Sequence, residues 1–322
     1  MNLVSPALHG RLRRRLFAFA AVAAAALSCA TAAAATAAAT SSAGAGELRE
    51  VTGFRFQIAT GDDSSVTRRI TEDLYKRLVP VFGAFRTELA QRRRMVIITI
   101  GPVALRNTLA RKCDCVVIAA FTSSQVWRAV TAELPPSRLV AMTAIYAEPA
   151  PAEQIRLISL LYKRPVRIAA IVSRETGFLK PLLYGASPVE VEDYSDGDDI
   201  NFALNRVGQA QVLLAMPDRT VYSAENFRNI LLSTYRHNQA VIGFSADMVR
   251  AGALATTYSN IEHINAHVAD LVGDFVTTGE LGAPQFPRYF RTIINEGVAR
   301  SLQVAVSDDA RQFGRDPAVR QP

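Results

Sequence analysis

Short apolar runs alternate with stretches of helical periodicity along most of this 322-residue chain. The runs are rich in Val, Ile, Leu and Ala and occupy residues 54–60, 95–100, 115–121, 139–146, 166–172, 189–194, 212–216 and 240–244. Between them, apolar residues recur every three or four positions, as at 66, 70, 74 and 78 and again at 261, 264, 268, 271 and 275. This alternation predicts an α/β protein in which helices cover parallel sheets.

The stretch from residue 212 to residue 258 is the clearest example of this alternation. An apolar run ends at Pro217 and Asp218, an amphipathic helix follows, and a second apolar run ends at Ser245. In parallel sheets, ligands bind outside the carboxyl ends of the strands. The polar residues after both runs are therefore predicted to lie where a small molecule would bind.

The same stretch carries a family resemblance. Its segments MPDRTVYSAENFRNILL and VIGFSADMVRAGALATTYS contain an aspartate loop at Asp218, a Thr-Val-Tyr-Ser segment at 220–223 and a Gly-Ala-Leu-Ala segment at 252–255. Over residues 54–302 the chain resembles the substrate-binding proteins of bacterial ABC importers, in particular the group related to tryptophan- and tyrosine-type binding proteins. The resemblance implies the type I periplasmic-binding-protein fold, with two lobes, each a parallel sheet flanked by helices, and a ligand cleft between them.

Lobes that are discontinuous in sequence also follow from the resemblance. We expect residues 51–146 and 259–284 in lobe 1, and residues 147–258 and 285–306 in lobe 2. The helix predicted at 260–278 would then return to lobe 1. The polar tail at 307–322 follows the last predicted helix and is expected to be frayed.

Residues 1–46 are typical of a secretory signal peptide with an Ala-rich leader. Basic residues between 11 and 15 precede an apolar stretch, and small residues suited to cleavage follow. This pattern predicts export to the periplasm. Two alternatives stay open: a membrane anchor, which the Thr and Ser residues of the leader disfavour, and attachment of lipid at Cys29.

The net charge of +7 does not indicate a nucleic-acid partner. Arg11, Arg13, Arg14 and Arg15 supply four of these charges, so the rest of the chain carries only +3. The expected ligand is a small-molecule solute, and the expected protein partner is the membrane permease of an ABC importer. We expect the protein to be a monomer.

Ten residues at or near predicted strand ends are candidates for contact with the ligand: Thr60, Gly101, Phe121, Thr122, Ser123, Tyr146, Ser173, Asp218, Tyr222 and Ser245. Gly101 opens a predicted helix, and so do Thr122 and Ser123. A helix N-terminus offers free N–H groups and a partial positive charge, which suit a carboxylate, and in the resembling family such loops of the first lobe help to hold the ligand. A Ser or Thr at such a position can equally be a plain helix cap.

Asp218 and three aromatic residues have different expected roles at this site. Asp218 could pair with an ammonium group of the solute, or it could simply close its own turn. Phe121, Tyr146 and Tyr222 could supply apolar walls, because ligand sites are mostly apolar with a few placed polar groups.

The sequence shows no recognisable catalytic set. Asp247 stands where a nucleophile elbow around Ser245 would need Gly. His263 and His267 are four residues apart, but Ile264 occupies the position where a zinc helix needs Glu, and we expect both histidines on the solvated flank of their helix. We therefore expect no enzymatic activity, no cofactor and no metal, and a hydrolase that uses Ser245 is kept as an alternative.

A single residue, Asp114, separates Cys113 from Cys115 at the start of a predicted strand. Alternate residues of a strand point to opposite faces, and disulfide geometry is narrow. The expectation is two packed thiols.

The function expected from these features is the capture of a small solute, such as an amino acid or a related carboxylate, for an ABC importer. A ligand-sensing module that passes occupancy to a receptor or kinase would use the same fold and the same open–closed equilibrium.

Overall fold

Two β-sheets, each with helices on its faces, form the part of the chain that the computed structural model describes, which is residues 49–50, 56–84, 95–111, 113–184 and 188–318. The predicted export segment and Cys29 lie outside these residues. Within them, no helix combines the length and the apolar character needed to cross a membrane.

The first sheet has five strands: β1 Arg49–Glu50, β2 Phe56–Thr60, β3 Met95–Ile100, β4 Cys115–Thr122 and β5 Met142–Tyr146. Neighbours in sequence are neighbours in the sheet, and every pair except β1–β2 is parallel. The helices of this part of the chain are α1 Ser65–Ala84, α2 Gly101–Leu109, α3 Ser124–Thr131 and α4 Pro136–Leu139.

The second sheet has six strands: β6 Ile168–Ser173, β7 Val189–Tyr194, β8 Val212–Leu214, β9 Ala240–Ile242, β10 Ala255–Tyr258 and β11 Arg291–Ile294. Their order is β11–β10–β9–β8–β6–β7, and only β11 is antiparallel to its neighbour. The remaining helices are α5 Pro151–Tyr162, α6 Lys180–Tyr184, α7 Ile200–Arg206, α8 Ala224–Arg236, α9 Ala246–Ala251, α10 Ile261–Thr278, α11 Glu296–Ser301 and α12 Asp308–Arg311, and a 3-10 turn spans Gly177–Leu179. The predicted α/β class, with parallel sheets flanked by helices, is confirmed.

The apolar periodicity at 66, 70, 74 and 78 becomes the inner face of α1. Ile70, Leu74 and Leu78 are buried, whereas Val66 is exposed in the first turn. The helix continues through Pro80 to Ala84, beyond the predicted end at 78. Replacing a fully buried leucine such as Leu74 by Ala would cost about 2–5 kcal/mol, so this face alone contributes substantially to stability.

Helix α10 packs against α1 and joins the core of the first sheet, although in sequence it lies between β10 and β11 of the second sheet. Val268 and Val272 are fully buried beside Phe56 and Leu74. Asn265 secures the contact, because its Nδ2 donates to the Ile70 carbonyl at 3.0 Å.

The chain passes between the two sheets three times, after β5, after β10 and before β11. The third passage runs beside the end of β5, where Tyr146 N donates to Gln285 O and Gln285 N donates to Ala144 O, both at 2.9 Å. Phe286 already packs against the core of the second sheet. The lobe boundaries given above stay a prediction.

Two expectations about polar segments are wrong. Residues 307–318 pack against the rest of the chain: Ser307 caps α12, Ala310 is fully buried, and Phe290 and Arg315 exchange backbone hydrogen bonds. Residues 319–322 of the predicted tail lie outside the described residues. His263 and His267 are buried in α10, because segments from the end of the chain cover that flank of the helix.

The expectation of two packed thiols is also wrong. Cys113 and Cys115 form a disulfide, with their Cα atoms 5.3 Å apart. Cys113 precedes β4, so the alternation of side chains along the strand does not constrain it.

Candidate functional site

The parallel pairing of the first sheet brings its predicted site residues to one edge. Thr60 pairs with Ile100, next to Gly101, and Thr122 pairs with Tyr146 at the same carboxyl end. The four segments that carry Thr60, Gly101, Phe121 to Ser123 and Tyr146 are therefore neighbours, as expected for strand ends in a parallel sheet.

Phe121 adopts a left-handed backbone conformation, with φ of 56°. The register between β4 and β5 shifts between Ala120 and Thr122, so Phe121 occupies an irregularity at the end of the strand. For a bulky residue this conformation costs about 1–3 kcal/mol, and such strain concentrates at functional sites. Its side chain is half-buried against the core of the first sheet.

Gly101 also has a positive φ, of 80°, where the chain turns from β3 directly into α2. A side chain there would be strained whatever the space around it. The neighbouring turn after β2 is equally tight, because a Cβ atom at Gly61 would lie 2.7 Å from the Cβ of Val103 in α2.

Polar groups at the start of α3 bind one another. Ser123 is the helix cap and accepts from Val126 N at 3.3 Å, and Ser124 N donates to Glu148 Oε1 at 2.8 Å. Thr122 and Glu148 are both buried, with 1% and 4% of their surfaces exposed. Burial raises the pKa of the Glu148 carboxyl, against hydrogen bonds from Ser124 that lower it.

Tyr146 lies between these polar groups and the second sheet. Its ring packs edge-on against Phe286, with ring centroids 5.1 Å apart. Burial, and to a smaller extent the charge of Glu148, raise the pKa of Tyr146 to about 12, against a lowering by the charge of Arg128.

The second sheet presents the other four predicted residues at its carboxyl edge. Asp218 is 1% exposed and organises this edge through both of its carboxylate oxygens. Oδ1 accepts from Thr220 N at 3.0 Å and from Val221 N at 3.1 Å. Oδ2 accepts from Ser173 N at 2.7 Å and from the hydroxyl of Thr176. Of the two interpretations of Asp218, the geometry favours the turn aspartate, because no oxygen is left for an ammonium group.

Tyr222 and Ser245 complete this edge. Tyr222 packs edge-on against Phe244 with centroids 5.8 Å apart, and among the described residues its hydroxyl has no hydrogen-bond partner of ordinary geometry. Burial, followed by the charge of Asp218, raises the pKa of Tyr222. Ser245 caps α9 and accepts from Met248 N at 3.3 Å, which is the plain capping role.

The two carboxyl edges face and touch each other. Gln125 Nε2, just after β4, donates to Glu175 Oε2, just after β6. Close by, the guanidinium carbon of Arg128 lies 4.4 Å from the ring centroid of Phe178, a cation–π contact. The Oε1 atom of Gln125 is buried and has no hydrogen-bond partner within the described residues. A solute held here would contact both sheets.

Solved structures match this arrangement, although no protein-family model and no curated protein matches the chain. A ligand-free, open substrate-binding protein with adhesive properties from Clostridium difficile gives a TM-score of 0.57 at 12% identity, over 80% of this chain and 98% of that one. The chain has the type I periplasmic-binding-protein fold. The ABC domain in complex with L-Trp from Streptococcus pneumonia gives 0.50 at 12% identity, and a conserved domain protein from Vibrio cholerae gives 0.50 at 14%, each over 80% of this chain and 97% of the other. At these identities the likeness establishes the fold alone.

Sequence reasoning missed four residues at the facing edges of this periplasmic-binding-protein fold: Gln125, Glu148, Glu175 and Phe178. Each lies within six residues of a strand end that was predicted. Extending each candidate loop by five residues would have included them. Glu148 lies in the connection between β5 and α5, and it is buried against the start of α3. No group of three or more His, Cys, Asp or Glu side chains suited to a metal ion occurs in the part of the chain that the structure describes.

Proposed function

We propose that the protein captures a small solute, an amino acid or a related carboxylate, in the periplasm and delivers it to an ABC importer. The observation that carries the proposal is the contact between the two carboxyl edges, where Gln125 meets Glu175. Two parallel sheets that face each other in this way form the usual position for a ligand in α/β proteins. A structural neighbour bound to L-Trp supports an amino-acid ligand, and neighbours that are binding proteins support a role without catalysis.

The start of α2 is the better of two helix N-termini for the carboxylate of the solute. At α3, the amides of Ser124 and Val126 already donate to protein oxygens. At α2, no side chain caps the helix among the described residues, and Gly101 leaves the backbone open. Pro102 has no N–H, but the uncapped positive end of a helix still favours an anion, so we propose that the carboxylate binds there, beside Thr60.

Glu175 is the acid that would receive an ammonium group. The oxygens of Asp218 are occupied, and Glu148 is buried with a raised pKa that favours its neutral form. Glu175 is exposed at the edge of the second sheet and already faces the first sheet through Gln125. A charge-assisted hydrogen bond from an ammonium group is worth about 1.5–3 kcal/mol.

A thermal-shift screen of amino acids, and of their deaminated and decarboxylated analogues, tests the proposal. A solute that binds only the native protein raises its melting temperature by mass action, and an amino acid should exceed both of its analogues. Glu175→Gln should weaken binding of that amino acid about 10- to 150-fold, because Gln keeps an acceptor for Gln125 but lacks the charge. Glu190→Gln, at an exposed position on β7, is the matched control.

The outcomes separate the parts of this proposal. If no small molecule raises the melting temperature at millimolar concentration, capture of a solute is excluded. If an amino acid binds and Glu175→Gln changes nothing, only the assignment of Glu175 is wrong.

Sensing is the second candidate function, since the same site could pass occupancy to a receptor or kinase. Co-purification with a permease and ATPase supports transport. Co-purification with a kinase or receptor in a solute-dependent way would instead support sensing.

A further inference from the structure

The Cys113–Cys115 disulfide lies at the opposite end of β4 from the solute site. Cys115 is the first residue of β4 and is 2% exposed, whereas Cys113 in the preceding loop is partly exposed. The two sulfurs therefore differ in access, and a molecule approaching from solvent reaches Cys113 first.

Arg138 holds its guanidinium against both sulfurs. Its Nη1 donates to the backbone oxygen of Cys113 at 2.5 Å, which fixes its orientation. Its Nη2 lies 3.3 Å from Cys113 Sγ and 3.9 Å from Cys115 Sγ. A positive charge at this distance stabilises a thiolate on either sulfur, and thiolates are the species that attack and leave in thiol–disulfide exchange.

A purely stabilising role does not account for this bridge. The stabilisation from a disulfide grows with the length of the loop that it closes, and here only Asp114 separates the two cysteines. The backbone is also fixed without it, since β4 is paired with β3 at Cys115 and with β5 from Val117 onward.

We propose that Cys113 and Cys115 form a thiol–disulfide exchange site that reacts with low-molecular-weight thiols, with Arg138 as the positioning residue. A thiolate attacks Cys113 Sγ and forms a mixed disulfide, while the bond to Cys115 breaks and its electron pair stays on Cys115 Sγ. A second thiolate attacks the sulfur of the first thiol and releases Cys113 as a thiolate. Two thiols are oxidised to one small disulfide, and the two protons they lose can return to the two cysteines. The reverse sequence uses a small disulfide as the oxidant.

Two variants, each made in a Cys29→Ser background so that a single cysteine remains, test which sulfur reacts. Cys115→Ser leaves the accessible sulfur and Cys113→Ser leaves the buried one, so each is a control for the other. With glutathione disulfide, the Cys115→Ser chain should form a mixed disulfide at least tenfold faster, as followed by intact-protein mass. Equal rates in two folded variants would overturn the assignment of Cys113 as the site of attack.

The wild-type chain and Arg138→Gln test the exchange itself and remain informative if a cysteine variant fails to fold. In a reducing glutathione buffer, the wild-type chain should have alkylatable thiols at both Cys113 and Cys115. In an oxidising glutathione buffer, it should have none at these two positions. Arg138→Gln should slow reduction about threefold, because a less stabilised thiolate is a poorer leaving group. Arg106→Gln on α2 should have no effect. A pair that stays oxidised in excess reduced glutathione, or stays as two thiols in excess glutathione disulfide, would overturn the proposal.

Discussion

Acid should destabilise this protein through His267, which is 0% exposed in α10. Its Nδ1 accepts from the backbone N of Arg288 at 3.1 Å, so its Nε2 carries the proton and donates to Gln285 Oε1 at 3.2 Å. Both partners belong to the third passage between the sheets. A second proton on the ring would sit on Nδ1, where it would face the N–H of Arg288 and remove this hydrogen bond. It would also bury a positive charge.

The magnitude follows from the pKa of His267. Burial, followed by the charge of Arg288, lowers this pKa from 6.5 to about 4. Because the folded protein prefers the neutral ring, the stabilisation is complete above pH 6.5 and is lost progressively as the pH falls toward 4. The difference corresponds to about 3 kcal/mol below pH 4, of which about 2 kcal/mol is already lost at pH 5.

Urea denaturation between pH 7.5 and pH 4.5 measures this effect. The free energy of unfolding of His267→Gln should fall less with acid than that of the wild-type protein, by about 2–3 kcal/mol over this range. All other titratable groups are present in both proteins, so the difference between the two curves isolates His267. His237→Gln, at an exposed histidine, should follow the wild-type curve. Parallel curves for wild type and His267→Gln would refute the reasoning.

Three further predictions follow from single side chains. Asp218→Asn should lower the free energy of unfolding by about 2–4 kcal/mol in urea, because an amide places a donor against buried donors; exposed Asp247→Asn is the control, and unchanged stability with weaker solute binding would restore the ammonium interpretation. Glu148→Gln should raise the melting temperature relative to wild type more at pH 7.5 than at pH 4.5, since the raised pKa of Glu148 means that stability is lost as the pH rises above 4.5; a constant difference would contradict this. Gly101→Ala should destabilise by about 1–2 kcal/mol because of its positive φ, whereas Gly273→Ala, inside α10 with open space around it, should stabilise by about 0.5–1 kcal/mol; equal effects in calorimetry would show that φ does not decide the outcome.

The sequence by itself determined most of the strands and helices and the strand ends that meet at the candidate site. Apolar alternation and helical periodicity are local properties, so α1 and the apolar stripe of α10 could be predicted without any knowledge of their partners. The same holds for the candidate residues at strand ends, since the carboxyl ends of parallel strands in one sheet always meet at one edge. Caps such as Ser123 and Ser245 act on amides three residues away and are equally local.

Only the tertiary structure decided what each polar group binds. Asp218 is saturated by Ser173 and Thr176, which lie more than 40 residues earlier in the chain, and nothing in its own loop reveals them. Gln125 donates to Glu175 at the edge of the other sheet. His267 is buried by a segment that follows it by about 20 residues. A pattern within one element describes the face that the element buries, whereas the partner that covers this face is chosen by the packing of distant segments.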